Sequence, residues 1–526
     1  MSTIFEAACA RAHEGMEIAA VAERDPQRPA VYSQYGDMNF GQLNRRVNQV
    51  ARQLRAAGIG PGDPVALLCG NRPEFVVVRF ACHRLGVRLT PVNWHLAPDE
   101  IAYVVENSDA LALFADERAE PGARLALAVA PALRMKVAIG GSIEGFESWD
   151  ASLAQDDTDI DEPALGSMML YTSGTTGRPK GVLRNQPDPQ KAADMQALLS
   201  AVFQFQPDAG TDLALTTGPL YHAGPFNLCM TTPLTSGIGT VVMDKWTPEE
   251  TLALIEKHRI THTFLVPTMM QRLLRVDEAT RLAADISSMR FIIHGAAPCS
   301  VETKQAMLDW FGPVIWEMFA GTEGPGTIVS PQEWLAKPGT VGKPAQGQVR
   351  ILDEQGAELP VGESGQVYLA NPPDSRFSYY KDEEKTERSV QGGYFTAGDM
   401  GYVDADGYLF LTGRSAEIII SGGVNIYPQE IDDVLAQHPA VADVACVGAP
   451  SEEWGEEVRA VVQLKPGFAA GHELADELIT FCKGRLAKQK FPRSVDFIQQ
   501  LPRSEAGKVQ RRALRDSYWQ AQDRSI

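Results

Sequence analysis

The sequence lacks any apolar run near the roughly 20 residues that a membrane-spanning helix needs. Its first segment, MSTIFEAACARAHEG, lacks the basic-then-apolar order of a secretory signal. The seven cysteines form no CxxC pair, which argues against a disulfide framework and against a zinc site. We therefore expect a cytoplasmic protein with reduced thiols and no stable membrane insertion.

Positive charge is also scarce, with 48 Lys and Arg against 67 Asp and Glu, for a net charge of −19. Such a chain repels nucleic acid, so nucleic acid is not an expected partner. Basic residues are concentrated between residues 483 and 515, where only Asp496 and Glu505 oppose them. Charge alone would explain this run as a solvated helix face. In a chain this acidic, a site for an anionic ligand would need such a local concentration of basic residues.

The chain is long enough for at least two domains, because 526 residues exceed what one hydrophobic core usually supports. Helical patterns such as FGQLNRRVNQVARQLRAAG alternate with strand-like runs such as PVALLC and MRFIIHG. This alternation predicts an α/β domain over residues 1–413 with mostly parallel sheets, whose ligands lie at the carboxyl ends of strands. Shorter segments predict a small α+β domain over residues 417–526, with the domain boundary near Thr412–Glu417.

The segment LYTSGTTGRPKGV, residues 170–182, ends an apolar run in hydroxyl residues, closely spaced glycines and one lysine. Glycine allows successive backbone N–H groups to face an anion, hydroxyls add donors, and Lys180 adds a charge. The spacing departs from the Walker A pattern, so an ordinary P-loop fold is not implied. The segment predicts a phosphate-binding loop.

Together with this loop, seven further segments resemble the adenylate-forming superfamily, which includes acyl-CoA synthetases, firefly luciferase and the adenylation domains of peptide synthetases. They are PLYHAGP (219–225), HGAAP (294–298), FAGTEG (319–324), YFTAGDMGYVDADGYLFLTGR (394–414), EIIISGGVNIYPQEID (417–432), GAPSEEWGEE (448–457) and PRSEAGKVQRR (502–512). Their order and spacing cover most of the chain. The resemblance implies a large N-terminal domain, a small mobile C-terminal domain and an active site between them.

The resemblance implies that ATP and Mg²⁺ bind in this site. Thr322 and Glu323 match the family's contacts to phosphate and Mg²⁺, and a carboxylate suits this hard cation. Phe319 and Ala320 depart from the usual tyrosine and glycine, which puts the strength of nucleotide binding in doubt. The residues that match the ATP- and AMP-binding positions are Thr172, Ser173, Gly174, Thr175, Thr176, Gly177, Lys180, Gly295, Ala296, Ala297, Phe319, Asp399 and Arg414.

The catalytic lysine of the family matches Lys508, which would hold the reacting carboxylate and phosphate oxygens together. His222 matches a residue near the substrate carboxylate, although a structural histidine remains an alternative. The segment Ser421, Gly422 and Gly423 resembles the lining of the coenzyme A pantetheine tunnel. The resemblance implies a hinge at residues 414–416, where Ala416 takes a position that is commonly aspartate or lysine in the family. The balance between the two half-reactions, acyl-AMP formation and thioester formation, therefore stays open.

The acyl pocket is expected to be apolar, with Tyr221, Phe226 and Met318 in its wall. Met230, Phe264 and Phe291 are further candidates, although such residues also form plain protein cores. This composition favours a medium-to-long, alicyclic or terpenoid-like acid over acetate. Benzoate-type acids remain an alternative.

The resemblance therefore implies an acyl-CoA ligase that joins a carboxylic acid to coenzyme A through an acyl-AMP intermediate. One alternative is an enzyme efficient only in thioester formation from preformed acyl-adenylate, and another is an adenylation enzyme that loads a carrier protein. A luciferase-like oxygenase and a degenerate ligand-binding relative are further alternatives. The expected partners are the acid, ATP and coenzyme A, and a homodimer is left open.

Overall fold

The computed structural model describes residues 2–172, 178–185, 188–373, 376–421, 424–451, 454–483, 485–504 and 507–520, with only the backbone at 416, 425 and 520. Across these ranges, no helix has the length and apolarity to cross a membrane. The strands are β1 (Pro29–Ser33), β2 (Met38–Asn39), β3 (Pro64–Leu68), β4 (Arg88–Pro91), β5 (Ala112–Asp116), β6 (Met135–Ile139), β7 (Glu147–Ser148), β8 (Ser167–Thr172), β9 (Lys180–Arg184), β10 (Leu213–Thr216), β11 (Gly239–Val242), β12 (His262–Leu265), β13 (Phe291–Gly295), β14 (Ile315–Phe319), β15 (Thr327–Val329), β16 (Val349–Leu352), β17 (Gly365–Ala370), β18 (Phe377–Tyr379), β19 (Val390–Gln391), β20 (Tyr394–Phe395), β21 (Asp399–Val403), β22 (Leu409–Arg414), β23 (Ile419–Ser421), β24 (Val424–Ile426), β25 (Val441–Ser451), β26 (Gly455–Leu464) and β27 (Ser494–Ile498).

The helices begin at the polar caps and prolines that the sequence provides. For example, Asn39 accepts a hydrogen bond from the backbone N–H of Gln42 at the start of the third helix. The helices are α1 (Ile4–Ala10), α2 (Glu17–Arg24), α3 (Phe40–Ala56), α4 (Pro73–Arg84), α5 (Pro98–Asn107), α6 (Glu120–Val129), α7 (Trp149–Ser152), α8 (Ala192–Val202), α9 (Thr232–Thr235), α10 (Pro248–His258), α11 (Pro267–Leu274), α12 (Glu278–Ala283), α13 (Val301–Phe311), α14 (Pro331–Ala336), α15 (Glu383–Ser389), α16 (Pro428–Leu435), α17 (His472–Phe481) and α18 (Arg511–Gln520).

Two eight-stranded, mostly parallel sheets form the centre of the N-terminal part. One has the order β15-β14-β13-β12-β10-β11-β1-β2 and is parallel from β14 to β1. The other has the order β18-β9-β8-β4-β3-β5-β6-β7 and is parallel from β8 to β7. The expected α/β class with mostly parallel sheets is therefore confirmed for this part of the chain.

A third sheet, formed by residues 349–414, differs from the expected parallel arrangement. Strands β16, β17, β19, β20, β21 and β22 pair only antiparallel to one another. The connections from β19 to β22 are two to five residues long, whereas a parallel crossover needs about a dozen residues or more. This sheet places Asp399 and Arg414 at the start and end of the β21–β22 hairpin.

The smaller C-terminal part contains a sheet of β24-β23-β26-β25, with β27 beside β26. Its core consists of apolar residues from this sheet and from α16 and α17, including Ile431, Leu435 and Leu478. Sheet membership changes between Arg414 and Ile419, across the short 3₁₀ helix Ser415–Glu417. A small α+β domain follows the large α/β domain, as expected.

A buried asparagine, Asn71, ties the two parallel sheets together at the carboxyl ends of their strands. It follows β3, and its amide nitrogen donates to the carbonyls of Gly218 and Met243, each at 2.9 Å. Its amide oxygen accepts from the N–H of Leu220 at 2.9 Å. Gly218 and Leu220 follow β10, and Met243 follows β11. The segment that leads to His222 is thus fixed to both sheets.

We predict that Asn71→Ala lowers the free energy of unfolding by about 3 kcal/mol or more. Three backbone groups would lose their buried partners, and each such loss typically costs about 1–3 kcal/mol. Urea denaturation followed by tryptophan fluorescence measures the change. Gln34→Ala is the control, because Gln34 is exposed and contacts Asp244 at a distance of 3.4 Å. Equal stability of the two variants would contradict the role given to Asn71.

Candidate active site

A cavity of about 2910 Å³ lies where the strand ends of the N-terminal sheets face the C-terminal domain. The sequence-predicted residues that line it are Thr172, Tyr221, His222, Gly295, Ala296, Ala297, Met318, Phe319, Thr322, Glu323, Asp399, Arg414 and Lys508. Ser173, Gly174, Thr175, Thr176, Gly177, Gly422 and Gly423 lie outside the described residues. The structure thus brings together side chains from both domains that are far apart in the chain.

Lys180, in β9, forms an ion pair with Asp382, and their charged atoms are 3.0 Å apart. Lys385 lies nearby in α15 and lines the cavity. Burial, followed by the charge of Lys180, lowers the pKa of Lys385. Two lysines therefore lie close together, near Thr172, which is the register partner of Lys180. Sequence reasoning missed Asp382 and Lys385, since the run KDEEKT reads as an ordinary charged helix start.

Glu323 is a buried carboxylate at the cavity wall, with 8% of its surface exposed. Tyr379 donates a hydrogen bond from its hydroxyl to Glu323 Oε1 at 2.9 Å. Burial and then the charge of Glu323 raise the pKa of Tyr379, so the phenol stays protonated and donates. Thr322 lines the cavity beside Glu323. Tyr379 was not predicted, because SYYKD carries no signal that one of its tyrosines faces Glu323.

The predicted adenine-binding segment follows β13. A side-chain carbon at Gly295 would lie 2.5 Å from the carbonyl oxygen of Met318, so this close approach of two strands requires glycine. Ala296 has φ +69°, an uncommon backbone conformation for a residue with a side chain. Phe319 ends β14 beside this segment and lines the same cavity. The aromatic ring of Phe319 and the tight backbone turn at Ala296 therefore border the same part of the cavity.

Asp399 and Arg414 face each other across the β21–β22 hairpin, where they are register partners. Arg414 Nε donates to Asp399 Oδ1 at 3.1 Å. The carboxylate of Asp399 raises the pKa of Arg414. The arginine holds the carboxylate at the cavity wall, where its second oxygen can accept hydrogen bonds from a ligand's hydroxyl groups.

The loop that carries Lys508 is fixed by an ion pair within the C-terminal domain. Arg503 Nη2 lies 2.8 Å from both carboxylate oxygens of Asp443, and Arg503 Nη1 donates to the carbonyl of Gly507 at 2.6 Å. Gly507 has φ +74°, and a side-chain carbon there would lie 2.3 Å from Thr268 Oγ1 in α11. The loop therefore turns tightly against the N-terminal domain.

Lys508 belongs to the C-terminal domain and lines the cavity, and the residue is also exposed to solvent. Desolvation, followed by the charge of Arg414, lowers the pKa of Lys508, while Asp399 and Glu323 oppose the shift. Burial, followed by the charge of Lys508, lowers the pKa of His222 to about 4. His222 is therefore neutral at neutral pH, and its ring is within electrostatic reach of Lys508.

The proposed acyl wall is only partly what the sequence predicted. Tyr221, Met318 and Phe264 line the cavity. Phe226 does not, because it is fully buried in the core with its ring 6.1 Å from that of Phe75. Met230 and Phe291 are core residues in the same way. Phe226 and Met230 lie in the π-helix Pro225–Thr231 and Phe291 lies in β13, and all three side chains pack into the core.

Ser421 and Ala416 are the described residues of the predicted coenzyme A segment and of the predicted hinge position. Ser421 ends β23 and is not among the residues that line the cavity. Ala416 lies within the 3₁₀ helix Ser415–Glu417, which directly follows Arg414 at the cavity wall. In this arrangement Lys508 lines the cavity and Ser421 does not.

Comparison with known proteins agrees with this geometry. The profile of the AMP-binding enzyme family matches residues 18–380, and that of the AMP-binding enzyme C-terminal domain matches residues 430–508. The chain belongs to the AMP-binding enzyme family. The two matched regions contain Glu323 and Lys508, and both residues line the cavity.

Relatives of this AMP-binding enzyme align over nearly its whole length. The fatty acid–[acyl-carrier-protein] ligase ScoC of Streptomyces coeruleorubidus is 33% identical over 95% of both chains. An indoleacetate–CoA ligase of Aromatoleum aromaticum is 33% identical over 96% of both chains. The crystal structure of the anthranilate CoA ligase AuaEII with anthranoyl-AMP has a TM-score of 0.86 and 26% identity, covering 97% of both chains.

We predict that Glu323→Gln lowers the rate of acyl-AMP formation from acid and ATP by about 10²-fold or more, because a buried negative charge at the cavity wall is lost while the shape of the side chain is preserved. Pyrophosphate release measures the rate. Glu363→Gln is a matched control at an exposed position outside the cavity. A Glu323→Gln enzyme that releases pyrophosphate at the parent rate would remove Glu323 from the reaction.

Proposed function

We propose that this chain is an acyl-CoA ligase that activates a hydrophobic carboxylic acid with ATP and transfers the acyl group to the thiol of coenzyme A. The observation that carries the proposal is the position of Lys508. This C-terminal lysine reaches the cavity that holds Glu323, Asp399 and Arg414 of the N-terminal domain. Family membership and the names of the relatives support the same reaction.

In the first half-reaction a carboxylate oxygen of the acid attacks the α-phosphorus of ATP, and the bond to pyrophosphate breaks. Both reactants are anionic, so neutralising charge and holding the two groups in line lower the barrier. We assign Lys508 to the carboxylate and α-phosphate oxygens, and Lys180 and Lys385 to the leaving phosphates. Asp399 would accept from the ribose hydroxyls, and Gly295, Ala296, Ala297 and Phe319 would enclose the adenine.

Mg²⁺ fits the proposed site through Glu323. No set of three metal-ligating side chains occurs among the described residues. A single buried carboxylate is nevertheless typical for Mg²⁺, which is usually held by one or two carboxylates together with substrate phosphates. The ion would offset phosphate charge, while Tyr379 keeps the Glu323 carboxylate in place through its 2.9 Å hydrogen bond.

In the second half-reaction the thiol sulfur attacks the acyl carbon, and AMP leaves with the electrons of the mixed-anhydride bond. The present orientation places Lys508 at the site and leaves Ser421 outside it. We propose that the C-terminal domain rotates about residues 414–416, which removes Lys508 and brings the segment 421–423 to the cavity. Ala416 carries no charge that would favour one orientation over the other.

A carrier protein is the second candidate for the thiol acceptor, because ScoC, named as an acyl-carrier-protein ligase, aligns along the whole chain. The chemistry of both acceptors is the same phosphopantetheine thiol. Thioester formation with coenzyme A and with a phosphopantetheinylated carrier protein, measured side by side for a panel of acids, distinguishes the two. Preference for the carrier at equal thiol concentration would favour the second candidate.

We predict that Lys508→Ala slows acyl-AMP formation by about 10²–10³-fold, the typical cost of removing a preorganised charge donor. Thioester formation from supplied acyl-AMP should change little, because Lys508 is away from the site in that step. Both routes are measured in the presence of coenzyme A by separating acyl-AMP and acyl-CoA. Lys465→Ala, an exposed lysine of the same domain outside the cavity, is the control.

The two routes together decide the assignment. Equal slowing of both by Lys508→Ala, in a parent protein that adenylates well, would contradict the two-orientation mechanism. A parent protein that uses only supplied acyl-AMP would instead support the alternative of an enzyme limited to thioester formation.

A further inference from the structure

An ion pair joins the exit of the proposed hinge to the base of the loop that carries Lys508. Glu417 ends the 3₁₀ helix Ser415–Glu417 and is the first charged residue on the C-terminal side of that hinge. Its Oε2 lies 3.0 Å from Nε of Arg511, the first residue of α18. Arg511 follows Lys508 by three residues, so the pair links the hinge to the reacting loop.

Arg511 is itself fixed by groups of the C-terminal domain. Its Nη1 donates to the carbonyl of Cys446 in β25 at 2.9 Å, and its Nη2 donates to the carboxylate of Asp432 in α16. Asp432 also accepts from the N–H of Cys446 at 2.7 Å. Although burial opposes it, the charges of Asp432 and Glu417 raise the pKa of Arg511, so the guanidinium stays charged. The position of Arg511 is therefore set, and it holds the Glu417 carboxylate in place.

The Glu417 carboxylate also acts on two cations that line the cavity, one from each domain. The carboxylate of Asp399 is the main cause that raises the pKa of Arg414, and the charge of Glu417 adds to it. Desolvation and then the charge of Arg414 lower the pKa of Lys508. The carboxylates of Asp399, Glu323 and Glu417 oppose that shift. Glu417 therefore offsets part of the repulsion between Arg414 and Lys508.

We propose that Glu417, held by Arg511, is a positioning residue for acyl-AMP formation and supplies at the hinge the orienting charge that Ala416 lacks. This inference rests on the proposed acyl-CoA ligase function and on its domain rotation. In the orientation described, the like charges of Arg414 and Lys508 line one cavity, which is unfavourable. The Glu417 carboxylate reduces that cost and so favours the orientation in which Lys508 is at the site.

The Glu417 charge favours only one of the two orientations. After the proposed rotation Lys508 is away from the cavity, so its repulsion with Arg414 ends and Glu417 has nothing to offset. An interaction that differs between two conformations shifts their populations by that difference in free energy. Loss of the charge should therefore slow acyl-AMP formation and spare thioester formation. A purely structural ion pair would affect both half-reactions, because Glu417 and Arg511 move together with the C-terminal domain.

The first test is Glu417→Gln, which removes the charge and preserves the shape of the side chain. We expect kcat for pyrophosphate release from acid and ATP to fall by about tenfold, within the range for a lost hydrogen bond to a charged group. The KM for ATP should not rise, because a carboxylate does not hold phosphate. Thioester formation from supplied acyl-AMP and coenzyme A should keep the parent rate. Glu430→Gln, which breaks an ion pair with Lys490 in the same domain outside the cavity, should change neither half-reaction.

The second test is the pH dependence of acyl-AMP formation, which a purely structural contact would leave unchanged. Lys508 must be protonated to hold anionic oxygens, so its deprotonation sets an alkaline limb of kcat. Because Glu417 opposes the lowering of the Lys508 pKa, Glu417→Gln lowers that pKa further and moves the limb to lower pH. Glu430→Gln should leave the limb in place. A limb that does not move in Glu417→Gln would contradict the charge argument.

Glu417→Asp is the conservative variant, because it keeps the carboxylate on a side chain that is one carbon shorter. It should retain most of the parent kcat for pyrophosphate release and an alkaline limb close to that of the parent. Thermal unfolding of each variant separates a folding defect from the loss of charge. A kcat as low in Glu417→Asp as in Glu417→Gln, at equal stability, would mean that side-chain shape rather than charge is required, and the inference would be wrong.

The parent protein is the reference for all these comparisons, and it separates two kinds of failure. If the parent yields neither pyrophosphate nor acyl-CoA from any acid, the proposed function itself fails. If the parent carries out both half-reactions and Glu417→Gln slows neither of them, or slows both equally, the proposed function stands and the role given to Glu417 is overturned. Selective slowing of acyl-AMP formation by Glu417→Gln supports that role.

Discussion

The site depends on a single electrostatic constraint, which is that an ammonium group of one domain must reach carboxylates of the other. The Arg503–Asp443 ion pair and the positive φ of Gly507 fix the loop that carries Lys508. The close approach of Gly507 to Thr268 sets the loop against the N-terminal domain. Because these contacts fix the loop within the C-terminal domain, motion of that domain would carry the Lys508 charge with it. Charge at the site is therefore coupled to domain orientation.

This coupling matters because the protein as a whole is acidic, with a net charge of −19. The general field repels ATP, so the cavity must attract phosphate at short range, where screening by salt is weakest. Lys180 is held by Asp382 and Arg414 by Asp399, each at about hydrogen-bond distance. These ion pairs hold the cationic side chains in place before the nucleotide binds. The partner carboxylate of each pair offsets part of the positive charge. Lys508 makes no ion pair of this kind among the described residues, and the domain rotation that we propose would withdraw its charge from the site.

Much of the fold could be predicted from the sequence, because the alternation of helices and strands has a clear period and the glycine-rich segments have a fixed order. The antiparallel sheet of residues 349–414 could not, since its strands of two to six residues are too short to show their pairing. Phe226 illustrates a second limit. A residue beside a predicted wall can face the core, and composition does not fix the direction of one side chain in a π-helix.

The position of a residue at the cavity was predictable where its chemistry and its local pattern coincide, as for Lys508 and Asp399. It was not predictable where function depends on a partner far along the chain. Tyr379 lies 56 residues from the Glu323 that it contacts, and Asp382 lies 202 residues from Lys180. Their local sequence reads as a strand end followed by a charged helix start. Only the folded structure shows that β18 pairs with β9. This pairing brings Tyr379 to Glu323 and Asp382 to Lys180.

The residues that we assign to the reaction and the residues that we expect to contact the acid come from different helices, strands and loops. Either set can therefore change without the other. Charged groups lie on strand ends and loops that are tied to the backbone, as Asn71 ties the segment before His222. The cavity is also lined by side chains of α8 and of the π-helix Pro225–Thr231. Substitution of these side chains alters the size and polarity of the cavity while the backbone hydrogen bonds of the helices persist. The π-helix has a wider turn than an α-helix, and such segments are frequent at functional sites. Recognition of the acid can therefore vary among enzymes of this family while the adenylating groups keep their positions.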